Sequence, residues 1–512
     1  MLTRVYSTAI QGVDAVEVEI EVNCGGRGEP KVIVVGLPDA AVRESKDRVV
    51  TAMWNSGFRP PTGRTTINLA PADIKKEGPS FDLPIAIGMI AVAEEAEIPR
   101  LSHCVIAGEL ALNGEIRSIR GALAMAIEAR RLKRKAILLP EANAAEAAAV
   151  QGIEVYGMKT LCDTYEFLMK KAERESMAVD LDALFNGGQL ADVDFSEVKG
   201  QEHVKRAIEV AVAGDHNLLL IGPPGSGKSM LAKRIPTIIP TMTLEEAIEA
   251  TKIHSVCGTL DTNKAIVSTR PFRSPHHTIS DAGLLGGSTN PTPGEVSLAH
   301  RGVLFLDELP EFKRSTLEVM RQPLEDGKVT ISRAAGSMTF PSEFMLVAAM
   351  NPCACGFFGD PKRECRCSPA QVEKYRQKIS GPLLDRIDIH VEAPAVNYKD
   401  ISSSQAAEAS EKIRDRINSA RSIQKKRFAK HAKVRTNSRM THAMLKTHCV
   451  LDEDSKELLR AAMEDLHLSA RAYDRILKVS RTIADLEGSA SIASAHIAEA
   501  IQYRTLDRRL WV

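Results

Sequence analysis

The eight-residue segment GPPGSGKS at 222–229 constrains the fold of this 512-residue chain more than any other feature. It follows an apolar run at 218–221 and precedes a helix-compatible stretch at 230–234, which predicts a strand, a tight loop and a helix. Glycines let the backbone N–H groups of such a loop turn inward around phosphates. An isolated Gly/Pro turn is the alternative, which the complete pattern disfavours. The predicted nucleotide-contacting residues are Gly222, Pro223, Pro224, Gly225, Ser226, Gly227, Lys228 and Ser229.

Within this loop, Lys228 is expected to reach the β- and γ-phosphates, and Ser229 is expected to ligate Mg²⁺. A second set of residues supplies what hydrolysis needs. The apolar run at 303–306 predicts a central strand, and Asp307 and Glu308 follow at its end, where open α/β sheets place their ligands. Asp307 is expected to hold Mg²⁺, and Glu308 is expected to polarise the attacking water.

Two further polar residues extend this set. Asn351 follows a third apolar run at 344–350 and could orient the water and sense the γ-phosphate. Arg386 is a candidate arginine finger, which a neighbouring copy can supply. Taken alone, it could equally be a surface salt-bridge residue.

The composition indicates a soluble protein of about three domains. Hydrophobic residues make up 44% of the chain and charged residues 26%, while aromatic residues, at 4%, are too sparse for a stacking platform. The net charge of +1 means that contacts to nucleic acid would need local basic patches. Neither a membrane span nor a signal peptide is recognisable, so a cytoplasmic location without a membrane partner is expected.

Four regions are predicted along the chain: an α+β domain at 1–175, a linker at 176–191, an α/β core at 192–396 and a charged helical domain at 397–512. The hydrophobic patterns predict individual elements within them. They are a half-exposed strand at 16–22, a buried strand at 32–35, helices at 82–94 and 122–131, and an apolar helical stripe along 475–486.

Several motifs together resemble those of AAA+ ATPases of the magnesium-chelatase branch, and more narrowly the bacterial ComM/YifB family. They are DFSEVKGQ at 194–201, the phosphate loop, Asp307-Glu308, RPFRSPHH at 270–277, Asn351-Pro352-Cys353 and GPLLDR at 381–386. The resemblance implies a multidomain α/β protein. Its parts would be a Lon-protease-like α+β domain, an AAA+ P-loop core with a four-cysteine insertion and a C-terminal helical lid.

The resemblance also implies roles for further residues. Val198 and Gly200 would lie near the adenine, and Arg471 matches the sensor-2 arginine of the family. It implies a hexameric ring with ATP sites at subunit interfaces and hydrolysis only on assembly. The expected function is that of a DNA translocase that remodels branched DNA in recombination or natural transformation.

Four of the nine cysteines, Cys353, Cys355, Cys365 and Cys367, fall within one short window. Four thiolates match a structural Zn²⁺ site, although the C-x-C spacing is less diagnostic than C-x₂-C. Four free thiols are the alternative. A metal here could brace Asn351 against the segment that leads to Arg386.

Candidate DNA contacts are less specific. Residues 328–333 read as one arm of a hairpin after the turn residues at 326–327, with Lys328 and Arg333 as cations that could touch phosphates or simply be solvated. A basic cluster at 425–435 could bind phosphates, contact a neighbouring subunit or be a solvated face. The small-residue segment at 284–291 would suit a pore insert. The pair at 276–277 could be hydrogen-bonded loop histidines or line a DNA-facing insert.

The N-terminal region suggests a rival function. The segment at 76–80 resembles the nucleophile segment of Lon-type proteases, with Ser80 in the serine position, but Leu123 stands where those enzymes need a lysine base. Without a base the hydroxyl is a poor nucleophile. Ser80 is therefore expected to belong to a tight turn, and the domain is expected to serve in assembly or DNA guidance. An ATP-dependent protease and an ATP-driven chaperone of magnesium-chelatase type remain the alternatives.

Overall fold

The computed structural model describes residues 2–25, 31–186, 193–261, 264–287, 291–333, 336–360, 363–395, 407–431 and 434–506. The chain forms two compact units. Unit 1 comprises Met1–Gly187 together with Thr243–Ser268, and unit 2 comprises Gly188–Met242 together with Thr269–Val512. The predicted linker at 176–191 contains the helix Leu181–Asn186, and its remainder from 187 onward lies outside the described residues.

The described strands of unit 1 are β1 (Leu2–Gln11), β2 (Asp14–Gly25), β3 (Lys31–Val35), β4 (Arg64–Ala70), β5 (Cys104–Ile106), β6 (Glu109–Leu110), β7 (Ile116–Arg117), β8 (Ala136–Pro140) and β9 (Glu154–Met158). Seven of them form a mixed sheet in the order β3-β4-β2-β1-β5-β8-β9. β1 and β2 form a long antiparallel pair, and β5, β8 and β9 continue the sheet in parallel. A separate short hairpin pairs β6 with β7.

Helices cover this sheet. The helix Asp82–Ala93 is apolar on almost every side and is nearly completely buried, as expected for a helix without a polar face. The helices of unit 1 are Ala40–Asn55, Asp82–Ala93, Ala122–Arg131, Glu141–Ala148, Leu161–Leu168, Leu181–Asn186 and Leu244–Cys257, with 3₁₀ turns at Pro79–Phe81 and Leu101–His103.

Most local predictions for unit 1 are confirmed. The helices at 82–94 and 122–131 are present, and β2 buries Val18, Ile20 and Val22 while its glutamates stay partly exposed. A strand is present at 32–35, but the prediction that this strand is buried is wrong. β3 lies at the edge of the sheet, so its apolar residues are only partly covered.

The segment Thr243–Ser268 packs with unit 1, although the sequence prediction placed it inside the core at 192–396. Its helix is tied to unit 1 by polar contacts. Lys252 Nζ lies 2.7 Å from Asp14 Oδ1, and the Ser255 hydroxyl donates a hydrogen bond to the buried Glu146. Contacts between residues so far apart in the chain leave no local signal, which explains why the sequence pattern missed this insertion.

Unit 2 is built on a fully parallel sheet in the order β11-β12-β15-β10-β16. Its central strands are buried on both faces, which is the expected consequence of helices on either side of a parallel sheet. A separate antiparallel hairpin pairs β13 with β14. The strands are β10 (Leu218–Ile221), β11 (Phe272–Arg273), β12 (Val303–Leu306), β13 (Lys328–Arg333), β14 (Gly336–Pro341), β15 (Met345–Met350) and β16 (Ile389–Glu392).

One hydrophobic core in unit 2 joins the sheet to the C-terminal helices. The stripe predicted along 475–486 is confirmed, because Ile476, Leu477, Val479 and Ile483 are buried in it. Among the described residues, no helix has the length and apolar character needed to cross a bilayer. The helices of unit 2 are Glu202–Gly214, Lys228–Arg234, Asp281–Leu285, Glu295–Leu298, Arg314–Val319, Arg321–Asp326, Pro369–Arg376, Gly381–Leu384, Ser410–Arg427, His442–His448, Glu453–Asp465, Ala470–Leu486 and Ser494–Gln502, with 3₁₀ turns at Phe195–Glu197, Ile235–Thr237, Leu309–Glu311 and Asn437–Arg439.

Candidate functional site

The phosphate loop leaves the carboxyl end of β10, and the helix that follows begins at Lys228. Gly222 allows a close approach of two backbone segments, since a Cβ at this position would lie 2.0 Å from the carbonyl oxygen of Ala393. Gly227 has φ +86°, a left-handed conformation that glycine adopts readily, and it caps the helix. The strand, loop and helix predicted from the sequence are therefore present.

A cavity of about 530 Å³ opens above this loop. It joins the loop to the ends of β12 and β15, so the carboxyl ends of neighbouring parallel strands meet at one site. The residues that line it are Pro224, Gly225, Ser226, Gly227, Lys228, Ser229, Met230, Asp307, Glu308, Met350 and Asn351.

Lys228 is held at the floor of this cavity. Its Nζ donates hydrogen bonds to the carbonyl oxygens of Gly222 at 2.7 Å and Pro223 at 3.0 Å, and to Asn351 Oδ1 at 3.2 Å. Burial lowers the pKa of Lys228 to about 8, and the nearby carboxylate of Asp307 partly opposes this shift. A phosphate anion at this position would favour the charged ammonium group.

Ser229 and Asp307 are brought together as predicted for a pair of Mg²⁺ ligands. The Ser229 hydroxyl donates a hydrogen bond of 2.6 Å to Asp307 Oδ2, and the backbone N–H of Glu308 donates one of 2.9 Å to Asp307 Oδ1. Hydroxyl and carboxylate oxygens of this kind are the donors that Mg²⁺ prefers. The chemistry of this donor set fits the ion.

Glu308 has an exposed side chain and a left-handed backbone with φ +52°. Such a conformation is uncommon in a residue with a Cβ and costs on the order of 1 kcal/mol. His277 Nδ1 lies 3.5 Å from Glu308 Oε2, and the ring of Phe312 contacts the ring of His277 edge-on. This relationship was not predicted from the sequence. The neighbouring apolar run at 303–306 gave no indication that a histidine would reach the carboxylate.

Arg386 and Arg471 are not among the residues around the phosphate loop. Both line a second cavity in unit 2, of about 370 Å³, together with Asp388, Arg475 and Lys478. Burial of Asp388 among these cations is accompanied by a pKa held well below its usual range, because hydrogen bonding from His216 and the charge of Arg475 outweigh desolvation. Further carboxylates, among them Glu325 and Asp474, line this cavity as well, so its arginines lie among acidic partners on the same unit that carries the phosphate loop.

Three contacts define the surroundings of these arginines. Arg386 pairs with the carboxylate of Glu325 and donates a hydrogen bond of 2.6 Å to the carbonyl oxygen of Pro382. Arg471 Nη1 lies 3.8 Å from Asp385 Oδ2.

The segment that carries the residues expected near the adenine is hydrogen-bonded to the phosphate loop. Val198 is buried in the hydrophobic core of unit 2, and Gly200 has φ +69°. The next residue, Gln201, donates hydrogen bonds from Nε2 to the carbonyl oxygens of Ser226 at 2.9 Å and Pro394 at 2.6 Å. This amide joins the segment at 194–201 to the phosphate loop, while contact of Val198 and Gly200 with a base stays a prediction.

The four clustered cysteines converge. Their sulfur atoms all lie within 4.8 Å of one another, and three of the separations are 3.3, 3.6 and 3.7 Å. Backbone N–H groups of Phe357 and Arg366 hydrogen-bond Cys355 and lower the pKa of this thiol to about 6. The cluster is compatible with a structural Zn²⁺. The cysteines concerned are Cys353, Cys355, Cys365 and Cys367.

The candidate DNA elements are only partly described. The hairpin strands at 328–333 and 336–341 are present, but Asp326-Gly327 ends the helix Arg321–Asp326 and does not join the two strands. Residues 334–335, between the strands, lie outside the described residues. Lys328 is exposed at the start of β13, and Arg333 ends this strand with a side chain outside the description. Residues 288–290 of the candidate pore insert are also outside it.

The cations of the basic cluster at 425–435 have different surroundings, some paired and some exposed. Arg427 forms a nearly buried ion pair with Asp485 at 2.5 Å, so its charge is neutralised within unit 2. Lys425 and Lys426 are exposed in the last turn of their helix, where cations are favourable, and residues 432–433 lie outside the described chain.

In unit 1, Ser80 lies in the 3₁₀ turn Pro79–Phe81, where its carbonyl oxygen accepts a hydrogen bond of 2.8 Å from Gly108. The predicted tight turn is confirmed. Leu123 is fully buried in the helix Ala122–Arg131, and its backbone N–H donates to Glu146 at 2.8 Å. A hydrocarbon side chain at that position cannot take up a proton from Ser80.

The parallel sheet of unit 2 and its phosphate loop define a P-loop ATPase of the AAA+ class, and sequence comparisons agree. Three family models match the chain. The model described as "Magnesium chelatase, subunit ChlI" matches residues 194–401, the model described as "Subunit ChlI of Mg-chelatase" matches residues 18–143, and the model described as "Magnesium chelatase, subunit ChlI C-terminal" matches residues 407–504.

Comparison with individual proteins narrows the family further than the family models do. The chain is 42% identical over 512 residues to the competence protein ComM of Haemophilus influenzae, covering 99% of this chain and 98% of the relative. It is 41% identical over 510 residues to the uncharacterized protein YifB of Escherichia coli, with the same coverage. It is 32% identical over 154 residues to Lon protease 2 of Bacillus subtilis, covering 27% of this chain and 26% of that protein. The chain belongs to the ComM/YifB family of magnesium-chelatase-like AAA+ ATPases, as the sequence motifs predicted. Membership implies ATP and Mg²⁺ as cofactors.

Proposed function

We propose that this protein is a cytoplasmic, ring-forming, ATP-driven motor that acts on DNA as a helicase or branch-migration factor in recombination or natural transformation. Lys228 and the loop amides bind the phosphates, while Ser229 and Asp307 hold the Mg²⁺. Glu308 accepts the proton of the attacking water, and Asn351 positions that water.

The main support for this proposal is that the catalytic groups of one chain lie in two separate cavities. Lys228 and Glu308 line one cavity of unit 2, whereas Arg386 and Arg471 line another. An arginine is worth about 10³–10⁵ in the hydrolysis rate only when it reaches the developing charge on the γ-phosphate. The two cavities become one site when a neighbouring copy places its arginines against the phosphate loop, and a closed ring of six copies repeats that contact.

Two observations favour DNA as the substrate. The exposed face of the hairpin carries Lys328 and a ladder of hydroxyl groups, in which Thr330 pairs with Thr339 at 3.0 Å and Ser332 with Ser337 at 3.1 Å. Hydroxyl and ammonium groups are common partners of DNA phosphates. The relative from Haemophilus influenzae is named a competence protein, which supports a role in DNA uptake or recombination.

Mixed assemblies test the shared site. Glu308→Gln and Arg386→Ala variants should each hydrolyse ATP poorly, while their mixture should regain activity, because some interfaces then combine an intact Glu308 with an intact Arg386. Size-exclusion chromatography with light scattering confirms that each variant assembles. A mixture that forms rings but stays inactive contradicts the interface mechanism.

The substrate is tested separately. ATP hydrolysis by the full chain is measured with single-stranded, duplex and forked DNA over a range of salt concentrations. Stimulation by DNA that declines with salt is expected, because phosphate contacts release counterions. Equal rates with and without every DNA form would overturn the assignment of DNA as substrate and leave the ATPase assignment intact.

A further inference from the structure

The cysteine cluster lies directly beside the phosphate loop of unit 2. Gly356, which follows Cys355, has φ +86°, and a Cβ placed on it would lie 2.4 Å from Pro224 Cδ and 2.6 Å from Pro224 Cγ. The turn between the first cysteine pair and the rest of the cluster therefore contacts the loop with no room for a methyl group. A displacement of this turn would therefore change the position of the phosphate loop.

The first cysteine pair is also joined to Asn351. Cys353 is fully buried and lies two residues after Asn351, whose side-chain oxygen accepts the hydrogen bond from Lys228. The intervening Pro352 is held from the other side, because Arg376 Nε donates a hydrogen bond of 3.2 Å to its carbonyl oxygen. The cluster thus lies between two elements of the nucleotide cavity.

The sulfur positions suit one tetrahedral metal ion. A Zn–S bond of about 2.3 Å implies sulfur atoms about 3.8 Å apart in a tetrahedral site. The three separations of 3.3, 3.6 and 3.7 Å, and the 4.8 Å limit for all four sulfurs, are close to this size. Four free thiols could be joined at such separations only by weak S–H···S hydrogen bonds, whereas thiolates that share a cation are each bonded to it.

We propose that Cys353, Cys355, Cys365 and Cys367 bind one Zn²⁺, and that the ion braces the phosphate loop and Asn351 in the geometry that binds ATP. The inference rests on the ATP site described under the proposed function and not on the DNA substrate. The metal closes the turn around Gly356, and that turn supports Pro224. Loss of the metal removes the support, so ATP affinity falls.

The two parts of this proposal, zinc binding and support of the ATP site, are tested by the metal content and the ATP affinity of the full-length protein. Metal analysis by mass spectrometry should find about one zinc ion per chain in gently purified protein. The double variant Cys365→Ser/Cys367→Ser should lose the zinc and bind a fluorescent ATP analogue about tenfold more weakly. Cys162→Ser, an isolated cysteine in unit 1, should change neither value. Wild-type protein that lacks zinc and binds ATP fully would overturn the proposal.

A pair of glycine variants separates bracing from folding. Gly356 and Gly359 lie in the same turn with left-handed φ values of +86° and +81°, but a Cβ on Gly359 would meet nothing within 4 Å. Gly356→Ala should keep its zinc and bind ATP more weakly, and Gly359→Ala should resemble wild type apart from its similar backbone strain. Equal ATP affinities for the two variants would overturn the bracing role.

Chelation gives a further check without substitution. Removal of zinc from wild-type protein should lower ATP affinity, and re-addition of Zn²⁺ should restore it. Thermal unfolding of the zinc-free protein would establish whether unit 2 is still folded. A failure of DNA to stimulate hydrolysis would leave these binding results unaffected, so the two proposals fail independently.

Discussion

The carboxylate of Glu325 pairs with the guanidinium group of Arg386, and Glu325 lies in the helix that ends immediately before the hairpin strand β13. The pair connects the candidate arginine finger to the candidate DNA-binding hairpin through a few residues of chain. The lowered pKa of Glu325 has the same origin, since hydrogen bonding from Arg386 favours the ionised carboxylate.

Glu325→Gln should raise the DNA-independent rate of ATP hydrolysis. Removing the charge weakens the hold on the largely buried Arg386, and an ion pair whose carboxylate is exposed changes an equilibrium by a factor of about two to five. The steady-state ATPase rate of the assembled protein without DNA is the measurement. Glu311→Gln, which breaks an exposed pair with Lys378, is the matched control. A lower rate in Glu325→Gln than in the control would contradict this relationship.

ATP affinity should decrease as the pH rises above about 8. Burial lowers the pKa of Lys228 to about 8, so the unliganded lysine loses its proton above that pH, while bound phosphate favours the protonated form. Because binding then requires uptake of a proton, affinity should fall by about tenfold between pH 8 and pH 9.5. Fluorescence titration with an ATP analogue measures this.

The matched variant for the pH effect is Lys228→Ala, which should bind weakly throughout and show no such slope. An affinity of the wild-type protein that stays constant from pH 7 to pH 9.5 would show that Lys228 is charged over the whole range.

His277→Ala should lower kcat for ATP by about ten- to a hundredfold, with little change in KM, because the imidazole positions Glu308 and is not among the residues around the phosphate loop. His277→Asn keeps an N–H donor at a similar distance from the backbone and should recover part of the rate. His276→Ala removes the neighbouring ring, which packs against His277 with centroids 4.1 Å apart but makes its own hydrogen bond to Thr278, and it should lower kcat less than His277→Ala does. A common loss in all three variants would indicate a general disturbance of the loop.

Lys328→Ala should weaken DNA binding by a similar factor for every sequence and reduce the salt slope of log K by about one. The affinity is measured by fluorescence anisotropy at several salt concentrations. Lys425→Ala, at the exposed end of another helix, serves for comparison. If only Lys425→Ala reduces the slope, the basic cluster binds DNA and the hairpin does not.

The local features of the nucleotide site could be predicted because their causes lie within a few neighbouring residues. The phosphate loop needs glycines for its backbone and an apolar strand before it, and both are visible in 218–229. Asp307 and Glu308 likewise follow their strand directly. The helices at 82–94 and 122–131 were recognisable from continuous apolar content and length.

The relationships that combine these features depend on the order of strands in the sheet and on packing. His277 reaches Glu308 because β11 and β12 are neighbours, and Gly356 meets Pro224 because β15 lies beside β10. Spacing along the chain does not specify either contact. The same holds for Thr243–Ser268, which interrupts unit 2 in sequence and packs with unit 1.

The family, the phosphate loop and the residue types available for hydrolysis could be recognised from the sequence, because short-range backbone geometry and motif chemistry are encoded locally. The convergence of the four cysteines beside the loop became visible only in the folded chain, as did the position of Arg386 and Arg471 in a cavity apart from Lys228. These distances are set by how strands and helices pack, through contacts between residues separated by tens to hundreds of positions.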